Sequence, residues 1–183
     1  MTDHWPKIKS RVTNKISPWV DLVAREVEFS PGSESQIYHS VKTSGYVNVL
    51  AIGPDGRIPL VSQYRPALES FTLELPGGIM DEGEDAATTA SRELLEETGF
   101  PTRTISSLGV HASDPGRLSG QTHSFFIETG HQVSNFKPET GVTLRLVTPA
   151  ELLELVLDGT FSAQAHLGTL LQATLRADFK LPN

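Results

Sequence analysis

The chain has 183 residues, 38% of them hydrophobic, with 15 basic and 22 acidic side chains and no cysteine; this is the make-up of one domain able to bury a core. The missing cysteines exclude disulfide scaffolds, thiolate zinc sites, iron–sulfur clusters and cysteine nucleophiles, and the net charge of −7 argues against nucleic-acid binding, which draws on Lys and Arg. Nothing after Met1-Thr2-Asp3-His4 reads as a leader and no run reaches the apolar length of a membrane span, so the expectation is a cytoplasmic protein with no membrane partner.

The first thirty or so residues end at a soft boundary near Pro31-Gly32. The apolar, β-branched runs Tyr46 to Ile52 and Ile58 to Tyr64 flank Gly53-Pro54-Asp55-Gly56 and read as a β-hairpin. A short strand follows from Phe71 to Leu75, and Pro76-Gly77-Gly78 breaks it. From about Asp85 a helical pattern runs to Thr98, with Gly99 at the C-cap. Strands are expected at Ile105 to Ala112, Thr122 to Glu128 and Val142 to Val147. Thr148-Pro149-Ala150-Glu151 is a capping box with proline in the first helical position, opening a helix over Leu152 to Leu157. Ser162 is expected to cap a last helix running to about Ala177. Strands, a helix, more strands and two helices imply an α+β fold, a mixed sheet with helices packed on it.

The charge is unevenly spread. Between Glu74 and Glu97 lie eight carboxylates (Glu74, Asp81, Glu82, Glu84, Asp85, Glu93, Glu96, Glu97) against the single cation Arg92, a net of −7 that accounts for the whole excess of the chain. On a helical wheel Glu96, Glu93 and Glu97 fall at about 40°, 100° and 140° from Arg92, so three carboxylates share one face. Ala87, Ala90 and Leu94 fall opposite and are expected to bury. Like charges at such spacings repel, and a divalent cation relieves them; hard carboxylate oxygens suit Mg²⁺ or Mn²⁺ together with a substrate's phosphate oxygens. The competing explanation is a solvated acidic helix.

Gly78, five residues, Glu84, seven residues, then Arg92-Glu93-Leu94-Leu95-Glu96-Glu97-Thr98-Gly99-Phe100 resembles the Nudix box at every defining position. The resemblance implies a mixed β-sheet sandwiched between helices. It makes Glu93 and Glu97 the principal metal ligands, Glu96 a further ligand and the backbone carbonyl of Gly77 a contributor. Arg92 becomes the partner that orients carboxylates, and Glu84 is structural. The implied chemistry is hydrolysis of a diphosphate linkage by water, with metal ions neutralising phosphates and a carboxylate base taking the proton. None of the six histidines lies in a context suggesting a nucleophile, and all are assigned surface or packing roles.

Beyond the box the chain resembles the ADP-ribose pyrophosphatase and nucleotide-sugar hydrolase branch of that family, from about Ser17 onward. Gln63-Tyr64-Arg65-Pro66, Leu73-Glu74-Leu75-Pro76-Gly77-Gly78 and Pro115, fifteen residues past Phe100, carry this likeness. It implies an N-terminal β extension over residues 1–40 that makes homodimer contacts, a hydrolase domain over 41–183, and ADP-ribose or a nucleoside diphosphate sugar as substrate. By the same likeness Arg65 touches the diphosphate or the terminal sugar, Glu74 assists near metal or substrate, and Trp19 stacks on a base or serves as core or interface. The acidic residue many relatives carry after Pro-Gly is missing from Arg117-Leu118-Ser119-Gly120-Gln121, so the base must come from elsewhere. Glu139, in the loop Asn135 to Gly141, is the first candidate and Glu128 the second, while Arg117 is assigned to phosphate or sugar. Two alternatives stay open: a pyrophosphohydrolase that sanitises nucleoside triphosphates, and a non-catalytic nucleotide sensor, against which the three retained glutamates count.

Overall fold

The computed structural model describes residues 4–176 and 179–182. In chain order it has strands β1 (Lys7–Ser17), β2 (Val20–Glu28), β3 (Gln36–Thr43), β4 (Tyr46–Ile52), β5 (Ile58–Arg65) and β6 (Ser70–Glu74), helix α1 (Ala86–Thr98), strands β7 (Thr102–Ala112), β8 (Gln121–Thr129) and β9 (Val142–Val147), and helices α2 (Pro149–Leu157) and α3 (Gln164–Leu175). Two compact units divide the chain. One takes the N-terminal residues through Ser44 together with Ala112–Gln121; the other takes Gly45–His111 and Thr122 onward.

In the first unit β1, β2 and β3 form an antiparallel sheet in that order. Alternation sorts its side chains: Val23 is buried, whereas Val12 and Ile37 are exposed on the opposite face. Segment 112–121 joins it through Val41, whose N–H donates to Arg117 O (2.8 Å) and whose carbonyl accepts from Ser119 N (3.0 Å).

The second unit has two three-stranded sheets, β4-β8-β7 and β6-β5-β9. Strand β4 is apolar on both faces because it feeds two cores. Val47, Val49 and Ala51, with Phe125 and Ile127 of β8, pack with Ala90 and Leu94 of α1. Leu50 and Phe126 belong to the larger core with Leu170 and Ala173 of α3. The sheet is thus covered by a helix on each side, as the resemblance implied.

Two local expectations need correction. Strands β4 and β5 occur where expected, but not as a hairpin: β4 pairs in parallel with β8, and β5 is the centre of a sheet between β6 and β9. The turn itself closes, through Gly53 N–H to Arg57 O (2.7 Å) and Gly56 N–H to Gly53 O (2.9 Å). Burial of β4 on both faces then draws it to a partner far along the chain. Ser162 does not cap α3. Ala163 is the N-cap, with no side-chain bond, and its carbonyl accepts from both His166 N and Leu167 N, so the helical register begins one residue later. Ala177, the expected end, lies outside the described residues. By contrast α1 has Asp85 as N-cap and Gly99 as a left-handed C-cap, and α2 has the complete Thr148–Glu151 capping box with Pro149 at its start. Among the described residues no helix is long and apolar enough to cross a membrane.

Candidate active site

The acidic segment becomes a site because the loop after β6 is laid along β4. Val49 N–H donates to Pro76 O and Val47 N–H to Gly78 O, both at 2.9 Å, and Met80 N–H donates to Gly45 O at the same distance. Glycine is required at Gly77, where a Cβ would stand 2.0 Å from the backbone oxygen of Val47. A Cβ on Gly78 would stand 2.2 Å from Glu93 Oε1 and would push that carboxylate out of its place.

On α1 the burial of Ala90 and Leu94 turns the opposite face to the loop. Glu97 is only 6% exposed, and its Oε2 accepts from Gly77 N–H at 2.9 Å. Burial pushes its carboxyl up to about 7, against the Gly77 hydrogen bond, and the charges of Glu93 and Glu139 add to the rise. Burial also raises Glu93, opposed by Arg92 and reinforced by Glu96 and Glu139. Arg92 ties the cluster together: Nε reaches Glu84 Oε1 (3.2 Å), Nη2 reaches Glu84 Oε2 (3.0 Å), and Nη1 donates to Glu93 Oε1 (2.8 Å) and Glu96 Oε2 (3.0 Å). Glu84 also accepts from Thr89 Oγ1 (2.8 Å), and the Arg92 guanidinium holds its carboxyl below the usual range. Glu84 therefore fastens Arg92 to the start of the helix.

Beside this cluster lies a second one. Arg65 and Glu74, at opposite ends of the β5–β6 ladder (Arg65 faces Ser70, Glu74 faces Val61), reach along it to form a two-point ion pair with Nε to Oε1 at 2.8 Å and Nη2 to Oε2 at 2.6 Å. Burial raises the Glu74 carboxyl, but the bonds from Arg65 and Thr72 Oγ1 (2.5 Å) outweigh it and hold Glu74 below its ordinary value. His166 of α3 is buried. Its Nδ1 accepts from Leu75 N–H (2.9 Å), which leaves the proton on Nε2, 3.4 Å from Glu74 Oε2. Burial lowers its pKa to about 4, so it stands neutral. Tyr46 completes the group: its hydroxyl donates to Gly77 O at 3.0 Å, and burial pushes the phenol up to about 12 against the charge of Arg65.

The structure thus brings together Gly77, Glu93, Glu96, Glu97 and Arg92, with Glu139 close enough to raise Glu93 and Glu97, and sets Arg65 and Glu74 beside Gly77 through Tyr46. Glu139 itself is exposed in its loop, with its carbonyl bound by Val142 N–H (3.1 Å). Glu128 is engaged elsewhere, accepting from Thr104 Oγ1 (3.0 Å). Trp19 and Arg117 lie in the N-terminal unit. Trp19 is 59% exposed at the β1–β2 turn, and Arg117 lines a cavity of about 550 Å³ with Leu22, Tyr38 and His39. Among the described residues no three histidine or carboxylate side chains already form a group that holds a metal ion; Arg92 draws Glu93 and Glu96 to itself. The donor set nonetheless fits a hard divalent cation: it is all oxygen, and its two inner carboxylates are crowded by like charge in a half-buried setting.

Sequence reasoning missed Tyr46 and His166. A signal existed for His166, which shares the helical stripe of Thr169, Leu170 and Ala173, all buried. Tyr46 had none beyond a polar tip in an apolar run.

Comparison with known proteins places the chain in a family and a fold. A model of the NUDIX domain matches residues 42–166. The ADP-ribose pyrophosphatase of Bacillus subtilis (strain 168) is 36% identical over 109 residues, 60% of this chain and 58% of that protein, so the chain spans less than two thirds of that relative's length. The methanol dehydrogenase activator of Bacillus methanolicus is 34% identical over 139 residues, 76% of this chain and 72% of that protein. A crystal structure of an ADP compounds hydrolase superposes with a TM-score of 0.76 over 96% of this chain and 95% of that one, at 20% identity, a likeness of fold.

Proposed function

Because the chain belongs to the Nudix family, we propose that it hydrolyses the diphosphate linkage of ADP-ribose or of a nucleoside diphosphate sugar. Water attacks phosphorus, the bond from that phosphorus to the bridging oxygen breaks, and the products are a nucleoside monophosphate and a sugar phosphate. The observation that carries the reading is the α1 face, where Glu93, Glu96 and Glu97 stand together beside the Gly77–Gly78 loop, with Arg92 bonded to Glu93 and Glu96. The likeness to the Bacillus subtilis ADP-ribose pyrophosphatase supports the choice of substrate.

In this reading Glu93, Glu96, Glu97 and the Gly77 carbonyl hold Mg²⁺, or Mn²⁺. Such ions, when bound, neutralise phosphate oxygens and acidify water. Glu139 accepts the proton of the attacking water; its charge already reaches Glu93 and Glu97. Arg92 keeps the carboxylates oriented, and Arg65, anchored by Glu74, presents its remaining N–H groups to the diphosphate. The enzyme works in the cytoplasm as a homodimer, residues 1–40 making the dimer contacts and 41–183 the hydrolase domain. The exposed Ile8, Val12 and Ile16 along β1 support such contacts.

The test is a panel of ADP-ribose and ADP-, GDP- and UDP-sugars with Mg²⁺, with the products identified. Monophosphate and sugar phosphate in equal amounts are expected. Release of pyrophosphate from nucleoside triphosphates, with the sugars untouched, overturns the reading in favour of a triphosphate enzyme. Tight binding without turnover overturns it in favour of a sensor.

A further inference from the structure

Gly77 is buried, and its peptide groups take no part in the bonds that lay the loop on β4, which use Pro76 O and Gly78 O. A buried N–H and a buried C=O each need a partner. Glu97 Oε2 takes the N–H at 2.9 Å, and the Tyr46 hydroxyl donates to the carbonyl at 3.0 Å. The Arg65 guanidinium, pinned by the two oxygens of Glu74, acts on the same hydroxyl through its charge. A carbonyl oxygen can only accept, so the one proton of the phenol is committed to Gly77. The bond therefore has a fixed sense, from Tyr46 to Gly77.

We propose that Tyr46 is a positioning residue that locks the Gly77 peptide plane, so that the Gly77 carbonyl and the Glu97 carboxylate, bound to opposite ends of one residue's backbone, are presented together. The carbonyl keeps a second lone pair for a cation. Nothing in the box motif marks Tyr46, which reaches the loop from a strand 31 residues earlier in the chain. This inference rests on the reading of Glu97 and Gly77 as cation ligands given above.

The test is Tyr46→Phe in the full chain, which deletes one oxygen and keeps the ring. Mn²⁺ binding is measured by electron paramagnetic resonance without substrate, alongside steady-state kinetics, circular dichroism and amide exchange at Gly77. An orienting partner of a metal ligand is expected to change affinity on the order of 10-fold. The variant should therefore bind Mn²⁺ about 10-fold more weakly and lose a similar factor in kcat, with KM within about 2-fold and the wild-type fold retained. In the wild type the Gly77 N–H should exchange as slowly as the β4 amides, and faster in the variant. Equal Mn²⁺ affinity and kcat in variant and wild type overturn the proposal, as does wild-type protein that binds no Mn²⁺. Should the variant not fold, a Gly77 amide that exchanges like a free loop in the wild type overturns it alone, and a protected one upholds it. A wild type that binds Mn²⁺ but cleaves no diphosphate overturns the proposed function instead, and the Mn²⁺ comparison still decides Tyr46.

Discussion

Arg65 and Arg92 stand on either side of the Gly77–Gly78 loop, and both serve carboxylates, but in opposite proportions. Arg65 is matched to one carboxylate, Glu74, which is 5% exposed and also held by Thr72 and faced by His166. Arg92 is shared among Glu84, Glu93 and Glu96, with Glu97 one turn further on. The first region is electrically closed, and its carboxylate lies below its ordinary pKa; the second is left negative, and its inner carboxylates lie above theirs. A balanced pair holds elements in place. An unbalanced group of carboxylates on a packed helix has a deficit that an added cation can fill. Stability and function are therefore expected to separate along this line.

The largest effect tests the unbalanced side. Glu97→Gln keeps the shape of the side chain and removes the charge. A metal ligand supplies several kcal/mol of transition-state stabilisation, so turnover of the preferred diphosphate substrate should fall on the order of 10³-fold. Thermal unfolding without metal should not be lowered, since the ionised carboxylate is disfavoured there by burial and by Glu93. A variant that stays active, or that melts well below wild type in metal-free buffer, would put Glu97 with the structural pairs.

The balanced side should answer in stability. Arg65→Met strands the buried Glu74 and should cost about 3 kcal/mol in urea unfolding, at the lower end for a broken pair because the Arg65 side chain is 34% exposed. Replacing both partners, as Arg65→Met with Glu74→Leu, should recover much of that loss while activity stays low. If the single and double variants are equally unstable, the pair is not what holds β5 and β6 to this geometry.

How far the sequence announced all this follows from the distance between partners. Helix α1 could be placed, from about Asp85 to a C-cap at Gly99, because the signals for its ends act within a turn of their own positions, and α2 because its capping box is four consecutive residues. The shared carboxylate face follows from helix geometry alone. Pairing of β4 with β8 was illegible, since an apolar strand buried on both faces suits many partners and only the assembled sheet selects one. Likewise the Tyr46–Gly77 bond spans 31 positions and the His166–Leu75 bond 91, and neither residue type carries a local signature for a partner that remote.

His166 provides the smallest and most selective probe of the balanced side. It is buried and neutral, with Nδ1 occupied by Leu75 N–H; the groups facing it are Glu74 from β6 and, through that carboxylate, Arg65 from β5. Its folded-state pKa of about 4 lies below the ordinary 6.5, so the unfolded chain binds more protons between those values. The associated stability is fully present above pH 6.5 and is lost as pH falls toward 4, amounting to about 2 kcal/mol between pH 7 and pH 5. Glu74, whose folded-state value is depressed below 4.5, adds its own loss only at lower pH, whereas Glu97, raised to about 7 in the fold, stabilises as pH falls from 7 to 5 and offsets the histidine. His166→Gln offers Leu75 an acceptor without a titrating group and leaves Glu97 in place. The difference in urea-unfolding stability between wild type and variant should therefore shift by about 2 kcal/mol against wild type between pH 7 and pH 5. If that difference stays constant over the range, the histidine is already charged in the folded state. Its contact with Glu74 would then be an ion pair, and the α3 end of the balanced cluster would be held by charge and not by a neutral hydrogen bond.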